Sequence, residues 1–271
     1  MSDTASPVIM TCFARSGGTL LNQCLSALPN TMIFSEISPF RSREGVPHLK
    51  SQASDWYDIQ LRSSTFRECI QELITIAGRT GKYLILRDWP VRCFEGSGKS
   101  GDPSPPNRLV LPEYLPPGLS VKSFAFLRDA YDVYLSRKWG LGFPKRYLKY
   151  VEAVQDASIP IFLYEDFCRK PGPTLQRICD STGLQYDPVF LETFESETKV
   201  TGDISLGAQS RGRQITGITV LQRRFPLPQR IHELAFNPAL REANRRMGYP
   251  TGYFQRPIAW PWQAQASSIS G

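Results

Sequence analysis

A short glycine-containing segment near the start of the chain has the residue types that bind phosphate. The segment ARSGGTL follows an apolar run and precedes a helical pattern. Gly17 and Gly18 allow a tight turn and the close approach of a ligand, and a helix that starts there has free N–H groups and a partial positive charge. Arg15 adds a planar fork of donors, and Thr19 adds a hydroxyl. We predict an anion-binding loop; the alternative is a strand–turn–helix unit whose glycines serve packing alone.

The residues that this loop lacks limit the kind of phosphate it can hold. The Gly-Lys-Ser/Thr ending of ATP and GTP loops is absent. No strand end carries an evident carboxylate for magnesium, and the two histidines, His48 and His232, are too few for a zinc site built on several histidines. We therefore predict no metal. A nucleotide or sugar kinase is an alternative that would need a lysine loop and a magnesium carboxylate.

A second segment, FLRDAYDVYLSRK, places a cation and a hydroxyl around one helix start. Arg128 comes at the end of an apolar run, and Asp129 is a suitable N-cap for the helix that follows. Asp132 and Ser136 are spaced i, i+4, so Ser136 can point back toward the strand end. Arg128 and Ser136 could then bind a second anion. A surface salt bridge beside a solvent-facing serine is the alternative.

Short apolar runs alternate with helical patterns along the chain, and these elements must position both segments. The predicted strands are PVIMTCF, TMIFSE, KYLILRD, VKSFAFLRD and IPIFLYED, and the predicted helices include TLLNQCLSAL, STFRECIQELITIAG, AYDVYLSRKWG and PTLQRICDSTG. This order predicts an α/β fold, with a parallel sheet of about five strands flanked by helices, of the P-loop nucleotide-binding type. We interpret 1–271 as one domain, with frayed tails at 1–6 and about 262–271. Ligands in such folds bind beyond the carboxyl ends of the strands.

Composition restricts the partner and the compartment. The 271 residues carry a net charge of +7, and 41% of them are hydrophobic, as in ordinary globular proteins. The positive charge suits an anionic ligand, whereas the clusters REANRRMGY and LQRRF lack the aromatic platform of a nucleic-acid module. Six cysteines without a CxxC pair favour a reducing compartment. No signal peptide or membrane span is evident. We predict a cytoplasmic protein that binds no nucleic acid.

Four segments together resemble one family. ARSGGTLL resembles the 5′-phosphosulfate loop of the sulfotransferases that use 3′-phosphoadenosine 5′-phosphosulfate (PAPS), and LRDAYDVYLSR resembles their 3′-phosphate motif. LYEDF resembles the family's Tyr-Glu-Asp segment, and TGDISLGAQSRGRQI resembles a late loop that closes over the nucleotide. The segments follow the family's order over 7–224. Ala14 replaces a usual proline, Gly18 a threonine and Ala130 a proline.

The resemblance implies a cosubstrate, a product and a set of binding residues. The cosubstrate would be PAPS, and the product would be adenosine 3′,5′-bisphosphate. The residues that match the family's binding positions are Arg15, Ser16, Gly17, Gly18, Thr19, Leu20, Arg128, Ser136, Tyr164, Ser210, Arg211 and Gly212. Arg15 would also act in catalysis by stabilising the leaving phosphate.

The resemblance also implies a base that accepts the acceptor's proton. Many family members use a histidine after the middle strand, but the segment KYLILRDWPVR has none. Glu36 follows the second strand, as the glutamate base of tyrosylprotein-type sulfotransferases does, and we predict that it is the base. Asp88 is the second candidate, with an ion pair to Arg87 as its structural alternative. His48 could reach the site from a loop.

The sequence leaves the acceptor open. A carbohydrate, a lipid head group, a small hydroxylated metabolite and a peptide tyrosine are all compatible with it, and the oligomeric state cannot be inferred. Residues 39–63 and 94–119 are the predicted acceptor loops, and 95–108 could form a lid. Besides the kinase, two alternatives remain: a nucleic-acid-binding protein, and a family member that binds the nucleotide without transferring sulfate.

Overall fold

The fold has one parallel sheet at its centre. The computed structural model describes residues 6–40, 45–95, 104–136, 140, 142–201, 217–221, 226 and 231–255. Within these ranges the strands are β1 (Val8–Thr11), β2 (Thr31–Ile37), β3 (Tyr83–Asp88), β4 (Lys122–Leu127) and β5 (Ile161–Leu163). They form a five-stranded parallel sheet in the order β2-β3-β1-β4-β5. The predicted fold class is thereby confirmed.

Helices connect the strands and cover the sheet. In chain order they are α1 (Gly18–Ser26), α2 (Gly45–Tyr57), α3 (Phe66–Arg79), α4 (Val91–Glu95), α5 (Ala130–Leu135), α6 (Phe143–Asp156), α7 (Tyr164–Arg169), α8 (Pro171–Thr182), α9 (Phe190–Thr193), α10 (Ile231–Ala235) and α11 (Pro238–Met247). Short 3-10 helices lie at Leu111–Tyr114, Phe194–Ser196 and Tyr253–Gln255. No helix in the described ranges is long and apolar enough to cross a membrane.

Alternation along the strands divides the core into two faces. On one face Val8, Met10 and Ile85 pack with α1 and α8. On the other face, the alternate residues of β2 and β3, such as Phe34 and Leu86, pack with α2 and α3, and those of β4 pack with α5, α6 and α11. All six cysteines are buried, and none forms a disulfide. Both faces are therefore apolar, as the near-continuous apolar runs of the strands require.

Side chains of α2 cover the edge strand β2. The Tyr57 hydroxyl accepts from the Ile33 amide at 2.7 Å and donates to the Ile33 carbonyl at 3.0 Å. Gln52 repeats the pattern at Ser35, where its Oε1 accepts from the amide at 2.7 Å and its Nε2 donates to the carbonyl at 2.8 Å. These bonds satisfy backbone groups that a sixth strand would otherwise pair, so the edge ends here.

Most predicted elements occur with the expected ends, and one differs in type. Thr65 forms a capping box with Glu68 at the start of α3, and Gly183 ends α8 at φ 76°. The segment IPIFLYED, expected to be one strand, ends as a strand at Leu163, and Tyr164 begins α7. The apolar run continues past the strand because the first turn of α7 is also buried. The spacing of apolar residues alone does not distinguish a short buried helix from a strand.

Candidate active site

The loop between β1 and α1 has the backbone geometry of an anion nest. Arg15 and Gly17 have φ of 74° and 86°, and Ser16 lies between them with its amide bonded to the Phe13 carbonyl at 3.2 Å. No side chain caps the start of α1. Left-handed residues beside a helix start turn successive N–H groups toward one point. Thr19 and the buried Leu20 follow in the first turn of α1.

Gly17 lies directly against the ring of Tyr164. A Cβ added at Gly17 would come within 2.3 Å of the ring's Cδ2 atom, so no larger residue fits. The Arg128 guanidinium lies 4.7 Å from the centre of the same ring. The Tyr164 hydroxyl donates to the Thr219 carbonyl and accepts from the Leu221 amide, both at 3.2 Å. Tyr164 therefore connects the loop, Arg128 and the segment 217–221.

Gly18 lies against a different cation. A Cβ added there would come within 2.9 Å of the Nη2 atom of Arg87, from the end of β3. That Nη2 donates to Glu36 Oε1 at 3.2 Å, and Nη1 donates to Ser35 Oγ at 3.0 Å. The Arg87 and Glu36 side chains are 4% and 15% exposed. Glu36 is thus paired and largely enclosed beside the loop, rather than a solvated carboxylate.

A bulge in β2 directs Glu36 toward this position. The pairing of β2 with β3 changes register between Phe34 and Ile37, and Glu36 has a φ of 51°. A bulge re-aims the side chain that it carries, and a non-glycine residue at positive φ persists only where its surroundings hold it. Gln52 holds the preceding residue through both backbone groups. His48, on α2 rather than in a loop, contacts the Ser35 carbonyl at 3.3 Å and Gln52 at 2.7 Å.

Asp88 points away from this site. It adjoins Arg87 on β3, and successive side chains of a strand point to opposite faces, so the ion pair of Arg87 is with Glu36 and not with Asp88. Asp88 is 1% exposed, and its Oδ1 has no hydrogen-bond partner in the described part of the chain. Burial raises the pKa of Asp88 to about 7. This carboxyl is therefore a buried acid on the face that α6 covers.

The Arg128 guanidinium is surrounded by carboxyl groups. Its Nη2 is 3.4 Å from Asp132 Oδ2, and its Nε is 3.9 Å from Glu165 Oε1. The side chains of Arg128, Asp132 and Glu165 are at most 3% exposed. The other Glu165 oxygen, Oε2, accepts from the hydroxyl of Tyr249. Burial raises the pKa of Glu165 to about 7, although the Arg128 charge opposes this shift.

Asp129 and Asn244 fix the backbone beside Arg128. Asp129 Oδ1 accepts from the amides of Tyr131 and Asp132 at 2.9 and 3.2 Å, which confirms Asp129 as the N-cap of α5. Asn244, fully buried on α11, accepts from the Ala130 amide at 2.7 Å and donates to Asp129 Oδ2 at 3.3 Å. The chain direction at Arg128 is therefore set by contacts to a helix more than one hundred residues later.

The structure gives less information about the remaining residues that were predicted to form the site. Ser136 follows the last turn of α5, and its hydroxyl donates to the Val133 carbonyl at 2.7 Å. Its convergence with Arg128 on one anion stays a prediction. Ser210, Arg211 and Gly212 lie outside the described residues, as do 96–103 of the loop that could form a lid. Among the described residues, no group of three or more His, Cys, Asp or Glu side chains could hold a metal ion.

The sequence did not single out Gln52, Asn244 or Tyr249. Their functions depend on contacts between distant segments, and a lone amide or phenol within a helical pattern has no local signature. Glu165 lies in the quoted segment LYEDF, yet nothing in that segment indicates its approach to Arg128. Only its full burial, 1% exposed, shows that its charge must be compensated.

Solved structures share this architecture. The sulfotransferase domain of the Synechococcus PCC 7002 olefin synthase matches 91% of this chain and 97% of its own length, with a TM-score of 0.59 and 15% identity. The fold is that of a sulfotransferase domain. A second such domain, from the curacin biosynthetic pathway, matches 90% of this chain and 98% of its own, with a TM-score of 0.50 and 11% identity.

The other comparisons do not extend this result. A mouse sulfotransferase, SULT7A1 complexed with PAP, matches 72% of this chain with a TM-score of 0.37 and 10% identity, which is too low for an inference about ligands. No protein-family model matches the chain, and no curated protein sequence matches it significantly. The predicted resemblance to sulfotransferases is thus confirmed for the fold.

Proposed function

We propose that this protein transfers a sulfuryl group from PAPS to a hydroxyl or amine of an acceptor. One observation carries the proposal: Gly17 and Gly18, adjacent at the start of α1, are contacted by two different groups of side chains. Tyr164 and Arg128 lie beside Gly17, whereas Arg87 and the carboxylate it pairs with lie beside Gly18. This arrangement supports a nucleotide site and a proton-transfer site that would adjoin the same loop.

The side chains on the Tyr164 side suit a nucleotide with two separate phosphates. The loop amides and Arg15 would hold the 5′-phosphosulfate. Arg128 Nε, buried without a hydrogen-bond partner in the described ranges, is a donor that a 3′-phosphate would satisfy. Ser136 would assist Arg128, and Tyr164 would orient the adenine. Ser16, Thr19 and the late-loop residues Ser210, Arg211 and Gly212 stay assigned by resemblance alone.

The side chains on the Arg87 side suit the chemistry of transfer. When bound, PAPS supplies a sulfuryl group whose S–O bond to the 5′-phosphate breaks as the acceptor oxygen bonds to sulfur. Glu36 would take the proton that the acceptor hydroxyl loses. Arg87 would hold the Glu36 carboxylate toward Gly18 and offer donors to sulfuryl oxygens. Arg15 and the loop amides would stabilise the charge that the departing phosphate gains.

Glu36 is a better candidate for the base than Asp88. Its carboxylate reaches the loop through Arg87 and retains 15% exposure, so an acceptor can approach it. Asp88 lies on the opposite face of the sheet and is 1% exposed. A base must come within hydrogen-bond reach of the proton that it removes. We assign Asp88 a structural function instead.

A binding measurement followed by a transfer assay tests the proposal. Adenosine 3′,5′-bisphosphate should raise the melting temperature of the full chain, because a ligand that binds the folded state stabilises it. Labelled PAPS offered with carbohydrate, lipid head group, phenolic and peptide acceptors should then yield a labelled product without added metal. A shift with ATP and magnesium but none with the bisphosphate would contradict the proposal and favour a kinase. Cytoplasmic location and the one-domain organisation stay predictions.

A further inference from the structure

Three buried carboxyl groups of the described residues lie around Arg128. Asp132 and Glu165 are within 4 Å of its guanidinium, at 3.4 and 3.9 Å. Asp129, the N-cap of α5, adds a third carboxylate to the same region. These side chains and Arg128 are all at most 3% exposed. Because little water screens them, the repulsion among like charges here is strong.

Glu165 is the member of this cluster that can change its charge. It faces Arg128 from the end of β4, Asp129 and Asp132 from the start of α5, and Tyr249 from the segment after α11. Tyr249 donates to Oε2, whereas Oε1, the oxygen nearer Arg128, has no hydrogen-bond partner among the described residues. Burial raises the pKa of Glu165 to about 7. Oε1 is thus the atom at which a proton can be held.

We propose that Glu165 takes up a proton from solvent at Oε1 when a 3′-phosphate binds at Arg128. The inference rests on the proposed function, which places that phosphate at Arg128. A phosphate monoester carries about −1.5 to −2 charges at neutral pH, and at Arg128 it would meet the buried carboxylate of Glu165, whose Oε1 is 3.9 Å from Arg128 Nε. Protonation removes one of the opposing charges, frees Arg128 from its partner, and turns the carboxyl into a hydrogen-bond donor.

This linkage sets the sign of the pH dependence of binding. Above about pH 7 free Glu165 is ionised and the bound form must regain a proton, so affinity falls up to about tenfold for each further pH unit. The phosphate's own second ionisation, near about pH 6, has the opposite effect, because the dianion binds a cation more tightly. A loss of affinity above neutral pH therefore reports a group of the protein.

Calorimetric titration with adenosine 3′,5′-bisphosphate tests the inference. The full chain is titrated at about pH 7 and about pH 8.5, each in two buffers of different ionisation enthalpy, which counts the protons taken up. The wild type should take up about half a proton at about pH 7, where free Glu165 is half protonated, and close to one proton at about pH 8.5. It should bind at least about tenfold more weakly at the higher pH. Glu165→Gln should take up no proton at this position, and its affinity should not fall at the higher pH. Tyr249→Phe removes a hydrogen-bond donor to the carboxylate and should therefore raise the pKa of Glu165 in the free protein. Its affinity should then begin to fall at a higher pH than that of the wild type.

A carboxyl ¹³C titration of the wild type gives a second measurement that needs no variant. The nucleotide should raise the pKa of Glu165 from its value in the free protein. Tight binding with no proton uptake and no change in that pKa would overturn the inference and leave the proposed function intact. A parallel loss of affinity in wild type and Glu165→Gln would also overturn it. Failure of the wild type to bind the nucleotide at any pH would contradict both proposals.

Discussion

Arg87 and Glu36 form an ion pair of 3.2 Å directly beside Gly18 at the start of α1. The two residues lie on neighbouring strands, and a bulge in β2 with a φ of 51° at Glu36 makes the pair possible. A guanidinium packed against a helix start would bring two positive ends together unless an anion lay between them. Glu36 partly neutralises the positive charge of Arg87 beside the start of α1, and a phosphosulfate bound as proposed would neutralise it further.

Replacing Glu36 by glutamine should separate binding from turnover. Gln keeps the shape of the side chain but cannot accept the acceptor's proton, so Glu36→Gln should lower kcat by about 10²- to 10⁴-fold. The Kd for adenosine 3′,5′-bisphosphate should change little. Asp88→Asn is the matched control, because it neutralises the other candidate carboxyl and should leave kcat near the wild-type value. Loss of turnover in Asp88→Asn with normal turnover in Glu36→Gln would reverse the assignment.

Gly17→Ala should weaken nucleotide binding through a clash with Tyr164. The new Cβ would lie 2.3 Å from the ring and would also occupy a φ of 86°. Gly183→Ala shares the backbone conformation, with a φ of 76°, but its Cβ meets no atom within 4 Å. Both variants should lose about 1–3 kcal/mol of unfolding free energy from backbone strain. Only Gly17→Ala should also bind adenosine 3′,5′-bisphosphate more weakly, by about tenfold or more. Equal affinities in the two variants would count against the Tyr164 contact.

Arg128→Lys should weaken nucleotide binding while it keeps the buried charge. Lysine loses the planar fork and the donor at Nε, and a hydrogen bond to a charged group contributes about 1.5–3 kcal/mol. Affinity for the bisphosphate should therefore fall by about 10- to 100-fold. Arg177→Lys is the control, because Arg177 also lies over an aromatic ring, 5.6 Å from the centre of Phe162, but at the β5 edge of the sheet. A similar loss of nucleotide affinity in both variants would show that the effect is not specific to Arg128.

Protein stability should fall as the pH rises from about 4 to about 7. Burial raises the pKa of Asp88 from 3.8 to about 7, so in this interval the folded protein keeps a proton that the unfolded chain has lost. Each such group lowers the unfolding free energy by up to about 1.4 kcal/mol per pH unit, and the effect levels off above the folded pKa. Urea unfolding at several pH values should show a smaller slope for Asp88→Asn. Asp156→Asn, at an exposed position, should keep the wild-type slope.

The strands, the tight turn before α1 and the position of Arg128 after a strand could be predicted because they are properties of the local pattern. Alternating apolar runs and helical periods require a covered parallel sheet, and adjacent glycines after a strand require a tight turn. The opposite directions of Arg87 and Asp88 also follow from strand alternation. The alternative interpretation of Asp88, an ion pair with Arg87, was therefore already disfavoured by this alternation.

Other features depend on which strands become neighbours. Glu36 meets Arg87 because the second strand pairs with the third, an order that the apolar pattern does not contain. The positive φ of Glu36 depends on its neighbour Ser35, because Gln52, seventeen positions after Ser35, bonds both backbone groups of that residue. Glu165 approaches Arg128 because β4 and β5 are adjacent. Such contacts between separate segments have no signature in the local sequence.

The central position of β1 in the sheet has a consequence for how this protein can diversify. β1 pairs with β3 on one side and β4 on the other, so Glu36 and Arg87 come from one half of the sheet, and Arg128 and Tyr164 from the other. Under the proposed function, the half that would meet the acceptor is separate from the half that would recognise the nucleotide. Mutations that re-target the acceptor can then accumulate around β2 and α2 under little constraint from cosubstrate recognition. If the proposed function is right, residues that bind the acceptor could change without altering those that bind the nucleotide, because the two sets would meet only near β1 and the loop that follows it.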